Sequence, residues 1–189
     1  NTYGDINTWD VSAIADFSYL FSATFPEKNN FNSDISNWDV SNGENFEGMF
    51  NYANSFNQNI GSWDVSNGTN FSEMFRGANS FNQDIGSWDV SKGKDFSWIF
   101  AGSGGIYDPN HAFDQDIGDW DVGNGTDFSF MFTDAESFNQ DIGDWDLSNG
   151  TNLELMFWGA ENFNQDISSW DVSNVTDFGS MFRHATSFN

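Results

Sequence analysis

The sequence has no cysteine, so disulfides and thiol chemistry are excluded, although this absence does not identify a compartment. Basic residues are scarce: five Lys and Arg stand against 29 Asp and Glu, for a net charge of -24. Such a charge repels phosphate backbones and anionic lipid surfaces, which argues against nucleic acid and membrane as partners. It suits cations, basic proteins, or solubility in a salty extracellular medium, where screening acts over roughly 10 Å or less. No apolar run approaches the roughly 20 residues that span a bilayer, and no basic-then-apolar signal segment opens the chain, which points away from direct membrane insertion. Histidine occurs only as the isolated His111 and His184, and neither a Gly-rich phosphate loop nor an H-E-x-x-H pattern is present. The chain reads as non-enzymatic.

What is abundant is repetition. Trp-Asp recurs at Trp9, Trp38, Trp63, Trp88, Trp120, Trp145 and Trp170, a 25-residue period stretched once to 29 and once to 32. Units follow at about 1–30, 31–55, 56–80, 81–112, 113–137, 138–162 and 163–189, in a single repeat domain. Ile60-Gly61-Ser62-Trp63-Asp64-Val65 has the L-x-x-L-x-L spacing of a short strand, with Trp63 and Val65 inward and Ser62, Asp64 and Ser66 outward. Phe71, Met74, Phe75 and Ala78 follow at i, i+3, i+4, i+7, which predicts a two-turn amphipathic helix. The residue before that Phe, or before Leu153 in the sixth unit, is always Asp or Asn (Asp16, Asn45, Asn70, Asp95, Asp127, Asn152, Asp177), as an N-cap would be, and Gly77 and Gly159 sit where such helices stop. Each unit closes on Phe-Asn, or Phe113-Asp114 in one copy. This predicts a stacked Phe spine beside an inward Asn that satisfies backbone groups at a corner. The expected fold is a right-handed α/β solenoid, leucine-rich-repeat-like, with a short parallel sheet on one face and short helices on the other.

FNQDIGSWDVSN, followed by T-x-F-x-x-M-F and Ala, resembles the tandem repeats of bacterial surface proteins: the BspA-like branch of the leucine-rich-repeat superfamily, common in mycoplasma lipoproteins. The match covers essentially the whole chain, at the same offsets in seven units. The resemblance implies an extracellular, cell-surface solenoid used in attachment or protein binding, its partner a host or neighbouring-cell surface protein or glycan. Gly43, Gly68, Gly93, Gly125 and Gly150 depart from the Val expected after the Asn, which Asn174-Val175 retains. Neither end shows a cap, which reads as a fragment of a longer array.

Three groups of residues are candidates for function. Asp10, Asp39, Asp64, Asp89, Asp121, Asp146 and Asp171 form a column of like charge. Either each carboxylate accepts local N–H bonds in its D-V-S turn, or the column holds calcium, which carboxylate oxygens bind at about 2.3 to 2.6 Å. Asp119, Asp121, Asp144 and Asp146 are the densest part and the first expected calcium site. The position two after the leading Phe points away from the core stripe and carries Trp98, Phe130 and Leu155 in consecutive units. Together with Trp158 these predict an apolar binding patch. The insertion in the fourth unit offers Tyr107, Asp108, Asn110 and His111 on a Gly-rich tether, a glycan or peptide contact or simply a tolerated loop. The function expected is adhesion or protein binding, with a calcium-binding spacer or a glycan-binding module as alternatives. Asp84, before the Ile, has no assigned role.

Overall fold

The computed structural model describes residues 4–23, 30–103 and 111–189. Successive units lie one on another, but the expected helices and sheet are not what builds them. Among the described residues the only helix is a 3-10 turn at Ile6–Thr8, and strand pairing is reduced to isolated parallel bridges, one residue per unit. The bridged residues are Asp16, Asn45, Asn70, Asp95, Asp127, Asn152 and Asp177, the column expected to cap helices.

The hydrogen bonds after this column explain why no helix forms. Phe71, Glu73, Phe75 and Gly77 send their backbone N–H groups to Asp95, Ser97, Ile99 and Ala101 of the next unit at 2.8–3.0 Å. Met74, Arg76 and Ala78, lying between them, donate instead to Phe71, Glu73 and Phe75 three residues back. Alternate N–H groups therefore serve local turns and the neighbouring unit, whereas an α-helix directs all of them four residues back along its own chain. The geometry uses left-handed backbone at one site in every unit and at a second in most of them. φ is +56° at Glu73, +60° at Trp98, +59° at Phe130 and +54° at Leu155 in one column, and +66° at Gly77, +55° at Asp134 and +71° at Gly159 in the other. A positive φ at the third residue of a four-residue turn is the signature of type II. The i, i+3, i+4, i+7 pattern survives, because consecutive turns also return every third or fourth side chain to one side. Phe71, Met74, Phe75 and Ala78 are all fully buried.

The expected strand fails for a related reason. Trp63 N–H donates to Ile60 O and Gly68 N–H to Val65 O, so the segment closes into turns and its backbone makes no ladder to the next copy. Side chains bridge the units there. From Trp38 onward, the indole Nε1–H of each Trp-Asp pair donates to the Ile carbonyl of the preceding unit, Trp88 to Ile60 at 3.2 Å, Trp120 to Ile85 at 3.0 Å and Trp145 to Ile117 at 3.1 Å. Asn67, Asn124 and Asn149 donate Nδ2–H to the carbonyls of Ser41, Ser91 and Gly123. The inward placement of Ile, Trp and Val holds, whereas the sheet does not.

Aromatic columns run through the stack. Phe56 meets Phe81 at 5.9 Å between ring centroids, Phe81 meets Phe113 at 6.1 Å and Phe113 meets Phe138 at 6.3 Å, all near parallel. A second column, Phe50, Phe75 and Phe100, repeats at 5.6 and 5.8 Å and stacks on the first within each unit. Offset-stacked pairs contribute about 0.5–1.5 kcal/mol each beyond their burial. The Asn after the spine Phe is exposed at Asn57 and Asn139 rather than inward. It still works as a linker: Asn57 Oδ1 accepts from Asn82 N–H at 3.0 Å and from Gln83 Nε2 at 2.9 Å. Asp114 takes the same part with a carboxylate oxygen, accepting from Asn139 N–H and Gln140.

Candidate binding site

Asp39 Oδ1 accepts from both the N–H and the hydroxyl of Ser41, and Asp64, Asp89, Asp121, Asp146 and Asp171 likewise take the N–H two residues on. These bonds hold the carboxyls of Asp10, Asp39, Asp89, Asp146 and Asp171 below the usual carboxylate range. Asp84 acquires a role by the same chemistry, its Oδ1 accepting from Gly86 N–H at 3.0 Å, as Asp116 does from Gly118 and Asp141 from Gly143. The residues expected as helix caps do so too, Asp95 with Ser97 and Asn152 with Glu154. Each unit therefore uses three Asx turns, which accounts for most of the aspartate in the sequence.

The four carboxylates expected to hold calcium divide between two arrangements. Asp119 and Asp144 line a shallow depression of about 210 Å³ together with Asp116 and Asp141. Asp121 and Asp146 are occupied by their own turns. Among the described residues no group of three or more His, Asp or Glu side chains is arranged to hold a metal ion.

Tyr107, Asp108 and Asn110 lie outside the described residues. His111 is fully buried and faces the core rather than a ligand, its Nε2 3.2 Å from the Phe75 carbonyl. Because a carbonyl can only accept, Nε2 carries the proton, and Nδ1 is buried with no partner among the described residues. Burial lowers this imidazole to about 4.

The apolar patch is brought together. Trp98 and Phe130 stack at 3.9 Å, 8° from parallel, and with Leu155 and Trp158 they line a surface groove of about 240 Å³. Positive φ at Trp98, Phe130 and Leu155 turns these side chains out of the core column, the placement expected from a helix but achieved by a turn. Two groove residues were not visible in the spacing. Arg76 of the preceding unit lays its guanidinium 4.0 Å from the Trp98 ring and pairs with Glu73 at 3.4 Å. Asp134 lies at the left-handed position of the second column, half-buried beside Thr133, and its carboxyl is pushed up to about 6 by burial and by Glu136. A Cβ on Gly102 would come within 2.9 Å of the Asp134 side chain, and one on Gly159 would collide with its carboxylate, so glycine on both sides makes room for it. Trp158 is held from the far side by an edge contact with His184 at 5.7 Å. The available signal was the alternation of Gly with larger residues in that column (Gly77, Gly102, Asp134, Gly159), which a helix reading treats as stops.

With this geometry in view, the family model described as Mycoplasma protein of unknown function, DUF285, matches residues 1–108 and again 104–189. The chain belongs to this family. The two matches agree with a mycoplasma-type repeat, while the bonding described above departs from the strand-and-helix unit expected from leucine-rich repeats. No match is found among curated proteins or among solved structures.

Proposed function

We propose that this chain is a non-enzymatic binding module of a cell-surface protein, engaging a partner protein through the groove lined by Trp98, Phe130, Leu155 and Trp158. The observation that carries the proposal is the contiguity of these four large apolar side chains, partly exposed and lining one groove. Stacked aromatics offer a large rigid contact area at low entropy cost, and contiguous apolar patches rimmed by polar groups mark interaction sites. Their support is structural: the core columns stack without help from these side chains, since the buried Phe and Met residues beneath them complete the interior. The resemblance of the repeat to those of bacterial surface proteins supports the extracellular setting. The test is capture of purified host and bacterial surface proteins by the chain and by the double variant Trp98→Ser, Phe130→Ser. Loss of a captured partner in a variant that melts normally supports the proposal, and equal capture by both proteins removes it.

A further inference from the structure

On the reading that the groove binds a protein, we infer that its ligand is a cationic side chain of a basic peptide segment, an arginine held against the rings of Phe130 and Trp158 with Asp134 as its counter-ion. Three independent features meet here. The aromatic strip already accommodates a guanidinium, since Arg76 lies over Trp98 from the preceding unit while Phe130 stacks on Trp98 from the following one. Beyond Phe130 the stack of rings ends, because Leu155 is next in the column, and the groove opens there between Phe130, Leu155 and Trp158. Asp134 sits at that opening with a carboxylate that receives no hydrogen bond and no ion pair from the described residues, whereas the turn aspartates are satisfied by their own chain.

The surrounding charge favours a cation. Glu136 stands beside Asp134 and Glu161 beside Glu136. The cationic side chains of the neighbouring turn segments are Arg76, already paired with Glu73, and Arg183, one unit beyond Trp158, whose carbonyl accepts the Gly159 N–H. A cation over an aromatic face is attracted by the ring quadrupole, more strongly when partly desolvated, and a charge-assisted bond to a half-buried carboxylate adds direction. Arginine fits better than lysine, because a planar guanidinium can stack and pair at once. The net charge of -24 would guide such a segment from a distance without selecting this site.

The probes are a twelve-residue Gly/Ser peptide carrying three arginines, its lysine counterpart and its citrulline counterpart, titrated into the full chain by calorimetry and tryptophan fluorescence. The arginine peptide should bind about tenfold more tightly than the citrulline peptide, with lysine between them. Asp134→Asn, which keeps the side-chain shape, and Trp158→Ala should each weaken arginine binding about tenfold, while Asp10→Asn at a distant turn should leave it unchanged. Equal binding of arginine and citrulline, or binding indifferent to Asp134→Asn, would mean diffuse attraction to an acidic surface and overturn the inference. Capture of a surface protein through Trp98 and Phe130 without any arginine-peptide binding would sink the cation while sparing the binding face. Absence of both would end the two readings together.

Discussion

At the residue scale, the left-handed positions decide what the chain tolerates. Gly77 has φ +66°, and a Cβ there would lie 2.7 Å from the Tyr52 ring, whereas Gly4, at φ +78°, has open space around it. Gly77→Ala should cost roughly 2–3 kcal/mol in urea unfolding and Gly4→Ala about 1 kcal/mol or less, the difference measuring the packing contact apart from the backbone conformation. His111 gives a pH signature. Its folded value of about 4 lies below its ordinary 6.5, so the unfolded chain binds the proton more readily, and stability is full above pH 6.5 and falls as pH drops toward 4. Asp134 works in the opposite sense over part of that range, because its raised carboxyl takes up a proton while the chain is still folded. The comparison of wild type with His111→Asn isolates the histidine: the wild-type loss between pH 6.5 and 4 should exceed the variant's by up to about 3 kcal/mol, and identical pH profiles would contradict the burial of His111. Burial itself was legible at this scale. Trp63, Val65, Phe71 and Phe75 are inward as their spacing predicts, because periodicity reports which side faces the core. It does not report φ, which is why Gly77 read as the end of a helix and Asp134 was missed.

At the scale of the element, the same hydrophobic period was compatible with two backbones, and side-chain chemistry chose between them. A repeat rich in Phe, Ser, Asn and Gly has weak helix propensity, and Asp95 or Asn152 draws the N–H two residues on into an Asx turn. Once that turn forms, alternate N–H groups face the neighbouring unit and find its carbonyls, a gain that an isolated two-turn helix cannot match. The far-ultraviolet circular dichroism of the folded chain should accordingly lack the double minimum of α-helix; a helical spectrum would refute the turn architecture. In the Ile-to-Val segment the links between units are side-chain donors, so they are vulnerable to single substitutions. Trp88→Phe removes the indole N–H from the buried Ile60 carbonyl, which keeps only its bond from Trp63 N–H, and opens a gap in the ring column. It should cost about 1–3 kcal/mol by chemical denaturation. The candidate groove was partly legible: outward placement of Trp98, Phe130 and Leu155 follows from the register of the repeat whichever backbone carries it. Arg76 and Asp134 join them only because units stack in a particular offset, which one unit's spacing does not contain.

At the scale of the whole molecule, stability is a sum over interfaces between neighbours, set against the mutual repulsion of a chain with charge -24. The acids are placed by local turn chemistry, so their repulsion is a by-product that salt should relieve. Raising NaCl from about 10 mM to about 500 mM should raise the melting temperature, and a fall would show that attractive pairs outweigh repulsion. The division of labour within each unit also has an evolutionary consequence. Interior columns repeat nearly unchanged, while the outer positions of the turn segment vary from unit to unit, Glu73, Arg76 and Gly77 being followed by Trp98, Ala101 and Gly102 and then by Phe130, Thr133 and Asp134. An in-frame loss of residues 113–137 would seat Trp98 beside Leu155 and erase Asp134, keeping the core register while composing a new outer face. Unequal recombination between near-identical units thus edits what this surface recognises in whole words, where point mutation must work one letter at a time.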